Sequence, residues 1–360
     1  MALWYQPPPT LNLISPTLKL NSLRCNYNCN LSILNSRHTH VPEPEPVFAS
    51  VKTFAPATVA NLGPGFDFLG CTIDSLGDFV SLFADSFVRP KEIAITQISG
   101  NAVGKLNRNP LSNCAEIVAI EIMNMPEIRS VGLSLLLKKG LPLGSGLGSS
   151  TARAIAVNKV FGEKLRKEEL ELAGLNLEEK VSSYHADHSL DLKKLNFPEK
   201  KDLYFVLVSP KFEAPTKKMR AVLPLEIGMA NFVWNSSLAV ALAAAVLEGN
   251  VAGLGRALSG DRIVKPRQVP LILGMEVVKK TEIEVGAFGC TISRCGKTCG
   301  SGRVGGAELT AVAMINCEER RVRIGERMME AFWREGRLKA VVVVNRLDRV
   351  GARLVDSKPR

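Results

Sequence analysis

The segment Leu141-Pro-Leu-Gly-Ser-Gly-Leu-Gly-Ser-Ser150 places three glycines at alternate positions and ends in two serines. Glycine lets the backbone bend so that successive N–H groups point to one side, where they can bind an anion. Residues 131–137 before it alternate like a half-buried strand, and residues 151–164 after it carry apolar side chains at helical spacing. The segment is therefore predicted to join a strand to a helix N-terminus, whose positive field completes a phosphate cradle.

The spacing of the glycines narrows the kind of nucleotide site. The segment lacks the Gly-Lys-Ser/Thr ending of a P-loop and the third glycine of the dinucleotide fingerprint. Without a loop lysine, backbone N–H groups, the helix N-terminus and Mg²⁺ would have to balance the charge of a triphosphate. Mg²⁺ prefers oxygen ligands, so a serine hydroxyl and a nearby carboxylate are expected. The alternative is an ordinary flexible loop with Ser150 as the helix N-cap.

Hydrophobic periodicity along the rest of the chain predicts strands and helices without the regular βαβ order of a doubly wound sheet. The fold class is therefore α+β. A polar stretch near residue 200 is predicted to separate an N-terminal domain, 47–200, from a C-terminal domain, 201–360. The helix at 233–248 is rich in alanine and is expected to be buried. Predicted strands are 51–59, 131–137, 202–208, 290–293, 309–315 and 339–344; predicted helices are 151–164, 233–248, 271–285 and 324–335.

Composition excludes several classes of protein. Of the 360 residues, 46% are hydrophobic and 22% are charged, which excludes disorder for the bulk of the chain. The formal net charge is +11, but the basic residues are scattered, so no nucleic-acid partner is expected. No stretch of about 20 uninterrupted apolar residues occurs, so no membrane partner is expected. The eight cysteines and four histidines form no zinc-binding pattern.

The N-terminal segment has the composition of a removable leader. Residues 1–42 contain no Asp or Glu, and Lys19, Arg24 and Arg37 are spread among serine, asparagine, proline and leucine. This composition is typical of an organelle transit peptide, and the scarcity of arginine favours the plastid over the mitochondrion. The run Pro42-Glu-Pro-Glu-Pro46 then predicts an extended linker. We therefore expect residues 1–46 to be a transit peptide with a proline-rich linker, and the protein to act in the chloroplast stroma.

Three motifs together resemble the homoserine kinases of the plant type, within the GHMP superfamily of small-molecule kinases. They are the block from Val51 to Gly70, the Gly-Leu-Gly-Ser-Ser loop, and Tyr184-His-Ala-Asp187. The resemblance runs through almost all of residues 47–360. It implies a two-domain α+β fold, with a ribosomal-protein-S5-domain-2-like N-terminal domain that binds ATP and a ferredoxin-like C-terminal domain. The implied reaction is phosphorylation of L-homoserine by ATP to O-phospho-L-homoserine in threonine biosynthesis, usually by a homodimer.

The resemblance also implies roles for individual residues. Ser149 or Ser150 would hold Mg²⁺ together with Glu178. The implied catalytic set is Ser150, Glu178 and His185. The amino-acid pocket would be lined by Asn61, Asp67, His185 and Arg220. A zwitterionic substrate suits a carboxylate such as Asp67 for its ammonium group and an arginine such as Arg220 for its carboxylate. The implied ATP-binding residues are Leu141, Pro142, Leu143, Gly144, Ser145, Gly146, Leu147, Gly148, Ser149, Ser150, Thr151 and Ala152.

The sequence departs from the family near the implied site. A strand expected after Asp187 is missing, the family's second glycine loop is degraded at 294–297, and an extra stretch follows at 299–309. An arginine is also expected where Gln268 stands. These departures predict a less stable chain with weak or no activity. They keep open a catalytically impaired homologue that binds nucleotide or a partner subunit. An oxidoreductase that uses the glycines at 300–305 is a further alternative.

Overall fold

Two long antiparallel strands form the centre of the first sheet. The computed structural model describes residues 43–100, 114–140, 148–166, 169–170, 194–214, 216–294 and 307–360. In it, β1 (Phe48–Leu62) pairs with β2 (Gly65–Ala84) through a two-residue turn. The pairing shifts register where Pro56 lies opposite Gly77 and Ala57 opposite Ile73, so β2 bulges there. The other strands of this sheet are β3 (Ile93–Gly100), β4 (Leu133–Lys139) and β10 (Arg353–Pro359).

The strand order of the first sheet is β10-β1-β2-β4-β3, with β3 and β4 parallel and the other pairs antiparallel. Two helices, α1 (Cys114–Asn124) and α2 (Gly148–Val160), pack against it. In α2, Ala152, Ala156 and Val160 recur at every fourth position and are buried. This spacing puts small side chains on the helix face that meets the sheet, so the backbones can approach closely.

The second sheet has the order β6-β8-β5-β9, and β7 pairs with β8 as well. All of these pairs are antiparallel. The strands are β5 (Tyr204–Pro210), β6 (Glu213–Ala214), β7 (Gly289–Arg294), β8 (Ala307–Ile315) and β9 (Ala340–Arg346). The helices in this part of the chain are α3 (Thr216–Ala221), α4 (Met229–Glu248), α5 (Val251–Ser259), α6 (Lys265–Gln268), α7 (Met275–Glu284) and α8 (Arg321–Gly336), with a 3₁₀ turn at Val269–Leu271.

A hydrophobic cluster connects the two sheets. Val59 of β1 and Ile73 of β2 are buried in it together with Phe205 of β5 and with Leu254 and Leu258 of α5. Residues Glu43–Arg360 accordingly form one compact unit. The last strand, β10, returns to the edge of the first sheet beside β1. A division of the chain near residue 200 therefore places β1–β4 of the first sheet before it and the strands of the second sheet after it. The exception is β10, which belongs to the first sheet but follows the division in the chain.

The elements predicted from periodicity are confirmed, with ends that differ by a few residues. The burial predicted for 233–248 is wrong. In α4, Asn235, Leu242 and Ala245 are buried, whereas most of the other side chains are half-buried or exposed. The alanine-rich composition suggested burial, although such a helix can also lie at a surface.

The helix α4 has the length and composition of a membrane-spanning helix. By length and composition, Met229–Glu248 is apolar enough to cross a bilayer. Only 11% of its most apolar stretch of 18 residues is buried in the protein. The criterion of about 20 uninterrupted apolar residues did not detect this helix. Its apolar sequence is interrupted by Asn231, Asn235, Ser236 and Ser237. One such helix is weak evidence for a membrane span.

Two ionisable side chains are buried beside the second sheet. Lys265 donates hydrogen bonds from Nζ to the carbonyl oxygens of Leu258 and Cys290, and burial lowers its pKa to about 7. Glu282, on α7, is fully buried, and its carboxylate oxygens have no hydrogen-bond partner among the described residues. Burial raises the pKa of Glu282 well above its usual value. The folded protein therefore favours the protonated form of this carboxyl group.

We expect Glu282→Met to raise the free energy of unfolding, because a buried acceptor without a partner costs about 1–3 kcal/mol. A raised pKa in the folded state means that stability is lost as the pH rises above the unfolded value near 4.5. The gain should therefore be larger at about pH 8 than at about pH 5. Urea unfolding at both pH values measures it. Glu284→Met, at an exposed position of the same helix, is the matched control and should change little. An equal effect of both variants at both pH values would contradict the assignment.

Candidate active site

The turn between β1 and β2 brings two of the predicted site residues together. Asn61 and Asp67 have φ angles of 63° and 68°, in the left-handed region that asparagine and aspartate enter more readily than most residues. The Oδ1 atom of Asn61 accepts a hydrogen bond of 2.8 Å from the backbone N–H of Asp67. This hydrogen bond links the two residues, and the carboxylate of Asp67 lies near the turn of the hairpin.

Arg220, at the C-terminal end of α3, reaches the same turn. Its Nη2 atom donates a hydrogen bond of 2.9 Å to Oδ1 of Asp67, and its guanidinium carbon lies 5.5 Å from the ring centroid of Phe66. The Asp67 side chain is 18% exposed and that of Arg220 is 41% exposed. The structure therefore collects three predicted residues, Asn61, Asp67 and Arg220, into one cluster with a carboxylate and a guanidinium group.

Two residues that no motif singled out, Thr291 and Ser293 of β7, also hold this turn. The Ser293 hydroxyl accepts a hydrogen bond of 3.1 Å from the N–H of Ala60. The Thr291 hydroxyl accepts one of 3.3 Å from the N–H of Gly63 and donates one of 3.4 Å to the carbonyl of Asn61. Because the two residues are two apart in a strand, they face the same side. Two hydroxyl residues at alternate positions of an otherwise apolar strand were the available signal.

Gly63 explains why the turn fits so closely against the C-terminal part of the chain. Its φ angle is 60°, and a Cβ atom at this position would come within 2.7 Å of the Cα atom of Leu258 on α5. Any side chain would therefore push the hairpin away from α5 and from Thr291. The glycine of the Asn61-Leu-Gly-Pro-Gly65 segment is required both by its conformation and by this contact.

The predicted phosphate loop begins at a buried ion pair. Lys139, the last residue of β4, forms a salt bridge through Nζ with the carboxylate of Asp78 on β2. The other carboxylate oxygen of Asp78 accepts a hydrogen bond of 3.2 Å from the N–H of Gly140. A Cβ atom on Gly140 would lie 2.1 Å from the carbonyl oxygen of Gly77. The residue that leads into the loop is thus held by charge, by a hydrogen bond and by steric fit.

Beyond the loop, α2 begins at Gly148, so Ser149, Ser150, Thr151 and Ala152 lie in its first turns. The hydroxyl of Thr53 on β1 donates a hydrogen bond of 2.8 Å to the carbonyl of Ala152 and fixes the helix against the sheet. The first N–H groups of a helix have no intrahelical partner, and the helix dipole adds positive potential there. This end of α2 therefore suits the oxygen atoms of a phosphate group.

Other predicted site residues lie outside the described part of the chain. These are residues 141–147 of the loop and both Glu178 and His185. Within the described ranges, no group of three or more His, Cys, Asp or Glu side chains could hold a metal ion. The pairing of Ser150 with Glu178 around Mg²⁺ therefore stays a prediction, and so does the place of His185 in the amino-acid pocket.

Comparison with known proteins decides the family. Residues 111–191 match the model of the GHMP kinases N-terminal domain. The chain is 60% identical over 338 residues to homoserine kinase of Arabidopsis thaliana, an alignment that covers 88% of each protein. It is also 34% identical over 275 residues to homoserine kinase of Chloroherpeton thalassium, covering 68% of this chain and 84% of that one. The chain belongs to the homoserine kinase family.

Solved structures agree with this assignment. The crystal structure of homoserine kinase from Cytophaga hutchinsonii matches with a TM-score of 0.73 at 27% identity, over 85% of this chain and 98% of that one. Galactokinase of Lactococcus lactis matches with a TM-score of 0.60 at 12% identity, covering 85% of this chain and 95% of that one, which shows the shared fold alone. The predicted α+β GHMP kinase fold is confirmed. Membership of the homoserine kinase family supports the kinase over the impaired homologue.

We expect Asp78→Asn to destabilise the protein by about 3–5 kcal/mol, because it removes the carboxylate charge from the buried ion pair with Lys139. Lys139→Met should have an effect of similar size, since it leaves the buried carboxylate of Asp78 uncompensated. The double variant should lose less than the two single variants combined, because neither charge is then left alone. Urea unfolding of the three variants gives the coupling energy. Arg129→Met breaks an exposed ion pair with Glu127 and is the control; it should cost less than about 1 kcal/mol. Additive losses in the double variant would show that the pair does not hold the base of the loop.

Proposed function

We propose that this protein transfers the γ-phosphoryl group of ATP to the hydroxyl group of L-homoserine, giving ADP and O-phospho-L-homoserine, as a step of threonine biosynthesis. The observation that carries the proposal is the cluster of Asn61, Asp67 and Arg220 in a chain whose relatives are homoserine kinases. The cluster supports the choice of substrate, and the glycine-rich segment with the N-terminus of α2 supports the choice of phosphoryl donor.

The amino-acid end of the substrate is matched by the charges of the cluster. Homoserine carries an ammonium and a carboxylate group on the same carbon. The carboxylate of Asp67 can accept hydrogen bonds from the ammonium group, and the guanidinium group of Arg220 can bind the carboxylate in bidentate geometry. Asp67 and Arg220 form an ion pair with each other at 2.9 Å. A zwitterion can exchange with such a pair without leaving a charge unbalanced. A neutral alcohol or a sugar offers neither charge.

The phosphates of ATP are assigned to residues 141–152. Backbone N–H groups of a glycine-rich loop and of the first turn of α2 donate to phosphate oxygens without the entropy cost of ordering long side chains. The fixed position of Gly140 and the hydrogen bond from Thr53 to Ala152 support this role, because they hold both ends of the segment in place. Thr151 stands where the family has a smaller residue, on the helix that follows the loop.

We assign Mg²⁺ to the hydroxyl of Ser150 and the carboxylate of Glu178, which are the hard oxygen donors that this ion prefers. When bound, Mg²⁺ neutralises charge on the phosphate oxygens. His185 is assigned to the homoserine side of the catalytic set. Phosphoryl transfer depends mainly on positioning and charge neutralisation, so the site requires no strong general base. The contribution of Ser150, Glu178 and His185 is therefore to hold the groups in line.

The remaining assignments concern the setting of the enzyme. We propose that residues 1–46 direct the chain to the chloroplast stroma, where the family role implied by the plant relative would place it. We also propose that residues 47–200 and 201–360 are its two domains, that it works as a homodimer, and that it binds neither nucleic acid nor membranes. Scattered basic residues and the absence of a recognition motif support the exclusion of nucleic acid.

We expect the full chain to release ADP from MgATP at a rate that depends on L-homoserine. A coupled assay with and without L-homoserine measures the rate, and a parallel binding experiment with ADP measures nucleotide affinity. Nucleotide binding without homoserine-dependent turnover would contradict the proposal and favour the impaired homologue. A response to nicotinamide cofactors in place of ATP would favour the oxidoreductase.

We expect Arg220→Ala and Asp67→Asn to raise the KM for L-homoserine at least about tenfold, because each removes a charge-assisted hydrogen bond to the substrate. The KM for MgATP should change less than about twofold, since neither residue lies in the phosphate segment. The matched control is Arg327→Ala, which breaks an exposed ion pair with Glu330 of similar length, 3.0 Å. Equal changes in both KM values would indicate a structural role for the cluster.

A further inference from the structure

The short helix α6 carries two buried polar side chains that have no assigned role in the site. Lys265 is 4% exposed and Gln268 is 3% exposed. Lysine and glutamine are rarely buried to this degree, and their polar atoms need hydrogen-bond partners inside a protein. Both side chains donate to backbone carbonyl groups of other elements. Those elements are α3, which carries Arg220, and α5 and β7, which support the β1–β2 turn.

Gln268 holds the end of α3 that carries Arg220. Its Nε2 atom donates a hydrogen bond of 3.1 Å to the carbonyl oxygen of Met219, the residue before Arg220. The last carbonyl groups of a helix have no intrahelical partner, and Met219 is buried. A helix of six residues also has little stability by itself. Gln268 therefore satisfies a buried carbonyl group and fixes the point from which Arg220 leaves the helix.

The ion pair between Arg220 and Asp67 is less suited to this task. The carboxylate and ammonium groups of a bound amino acid compete with that ion pair for both side chains. A contact that keeps α3 in place throughout binding must involve groups for which the substrate does not compete. The hydrogen bond of Gln268 meets this requirement, because it is buried and ends on the backbone.

Lys265 joins the two elements against which the β1–β2 turn packs. Its Nζ atom donates hydrogen bonds to the carbonyl oxygen of Leu258 on α5 and, at 3.1 Å, to that of Cys290 on β7. Leu258 is the residue that Gly63 of the turn approaches. Cys290 precedes Thr291, whose hydroxyl group bonds to the turn. One amino group therefore fixes the spacing between the two supports of the turn.

The backbone of α6 is itself held firmly. The carboxylate of Asp261 accepts hydrogen bonds of 2.8–3.2 Å from the N–H groups of residues 263–265. Pro266 restricts the backbone in the first turn. Because residues three apart in a helix are neighbours on one face, Lys265 and Gln268 leave α6 close together. The helix can therefore transmit a fixed distance from one contact to the other.

We propose that Lys265 and Gln268 are positioning residues for the binding of L-homoserine. Through them, α6 holds the guanidinium group of Arg220 at a set distance from the carboxylate of Asp67. Gln268 fixes the helix that carries the positive charge, and Lys265 fixes the supports of the turn that carries the negative one. This inference rests on the proposed function, because it assigns the two charges to the substrate. A misplacement of about 1 Å can cost about 100-fold in rate.

We expect Gln268→Met to raise the KM for L-homoserine about fivefold, because methionine has a similar length and no N–H donor for Met219. The KM for MgATP should change less than about twofold, since neither α3 nor α6 belongs to the phosphate segment. Arg267→Met is the matched control at an exposed position of the same helix, and it should leave both KM values within about twofold. Equal changes of both KM values in Gln268→Met, or no change in either, would overturn the positioning role.

Gln268→Glu is the conservative comparison, because it keeps the length and shape of the side chain. A glutamic acid at this position can donate to the carbonyl of Met219 only while it is protonated. In this variant the KM for L-homoserine should therefore rise with pH between about pH 6 and pH 8, more steeply than in the wild type. The same pH dependence in the wild type and in both variants would show that the hydrogen bond does not position Arg220.

Lys265→Met should also raise the KM for L-homoserine about fivefold, with Lys280→Met, at an exposed position of α7, as the control. Because Lys265 and Gln268 set one distance, the double variant should lose less than the product of the two single effects. Effects that multiply fully would mean that the two residues act independently. That result would overturn the role of α6 as the connection.

Amide hydrogen exchange of the full chain tests the connection without a substrate. Gln268→Met should speed exchange in residues 216–223, and Lys265→Met should speed it in residues 61–67, each at least about threefold, with β4 unchanged. Unchanged exchange in both variants would contradict the positioning role whatever the substrate is. A wild-type chain without homoserine-dependent ADP release would count against the proposed function, and the exchange result would still decide whether α6 holds the two charges.

Discussion

The close contact between Gly63 and α5 is the constraint on which the site depends. The absence of a side chain at Gly63 lets the β1–β2 hairpin approach Leu258 and lets Thr291 bond to both sides of the turn. If this contact were lost, Asn61 and Asp67 would still be close in sequence, but they would no longer face Arg220. The cluster of Asn61, Asp67 and Arg220 is therefore a property of the junction between the two sheets. Its geometry is set by one steric requirement and two hydroxyl groups.

Asp78 and Glu282, two of the buried acidic residues, show how differently the same chemical group can be placed. Asp78 is surrounded by donors, the ammonium group of Lys139 and the N–H of Gly140, so its burial holds a loop in position. Glu282 has no hydrogen-bond partner within the described ranges, and burial raises its pKa. Satisfied buried charges specify a local geometry, whereas unsatisfied ones are a cost that the rest of the fold must offset. The contrast agrees with the positions of the two residues: Asp78 holds Lys139 and Gly140, which lead into the predicted phosphate loop, whereas Glu282 lies on α7 beside the second sheet.

Local sequence patterns predicted the helices and strands. They could not predict features that depend on contacts between residues far apart in the chain. Alternation in 131–137 was enough to place β4, and the spacing of Ile324, Met328 and Phe332 was enough to place α8, because both signals lie within one element. The pairing of β10 with β1 joins residues about 300 positions apart and leaves no local signal. For the site, motif resemblance supplied Asn61, Asp67 and Arg220, whereas Thr291 and Ser293 could be recognised only once β7 was seen beside the hairpin. Burial of 233–248 was misjudged because alanine and valine are compatible both with a core and with an exposed helix face.

The composition of α4 explains why its burial was misjudged. A helix that must pack on its own chain with one face and on another surface with the opposite face loses the charged stripe by which surface helices are recognised. In α4 the inner face consists of Asn235, Leu242 and Ala245, whereas apolar side chains such as Val240 are exposed. A single hydrophobic core can bury only one of two apolar faces that lie on opposite sides of a helix. The composition that resembled a buried helix is therefore also compatible with an outer face that the described part of the chain leaves exposed.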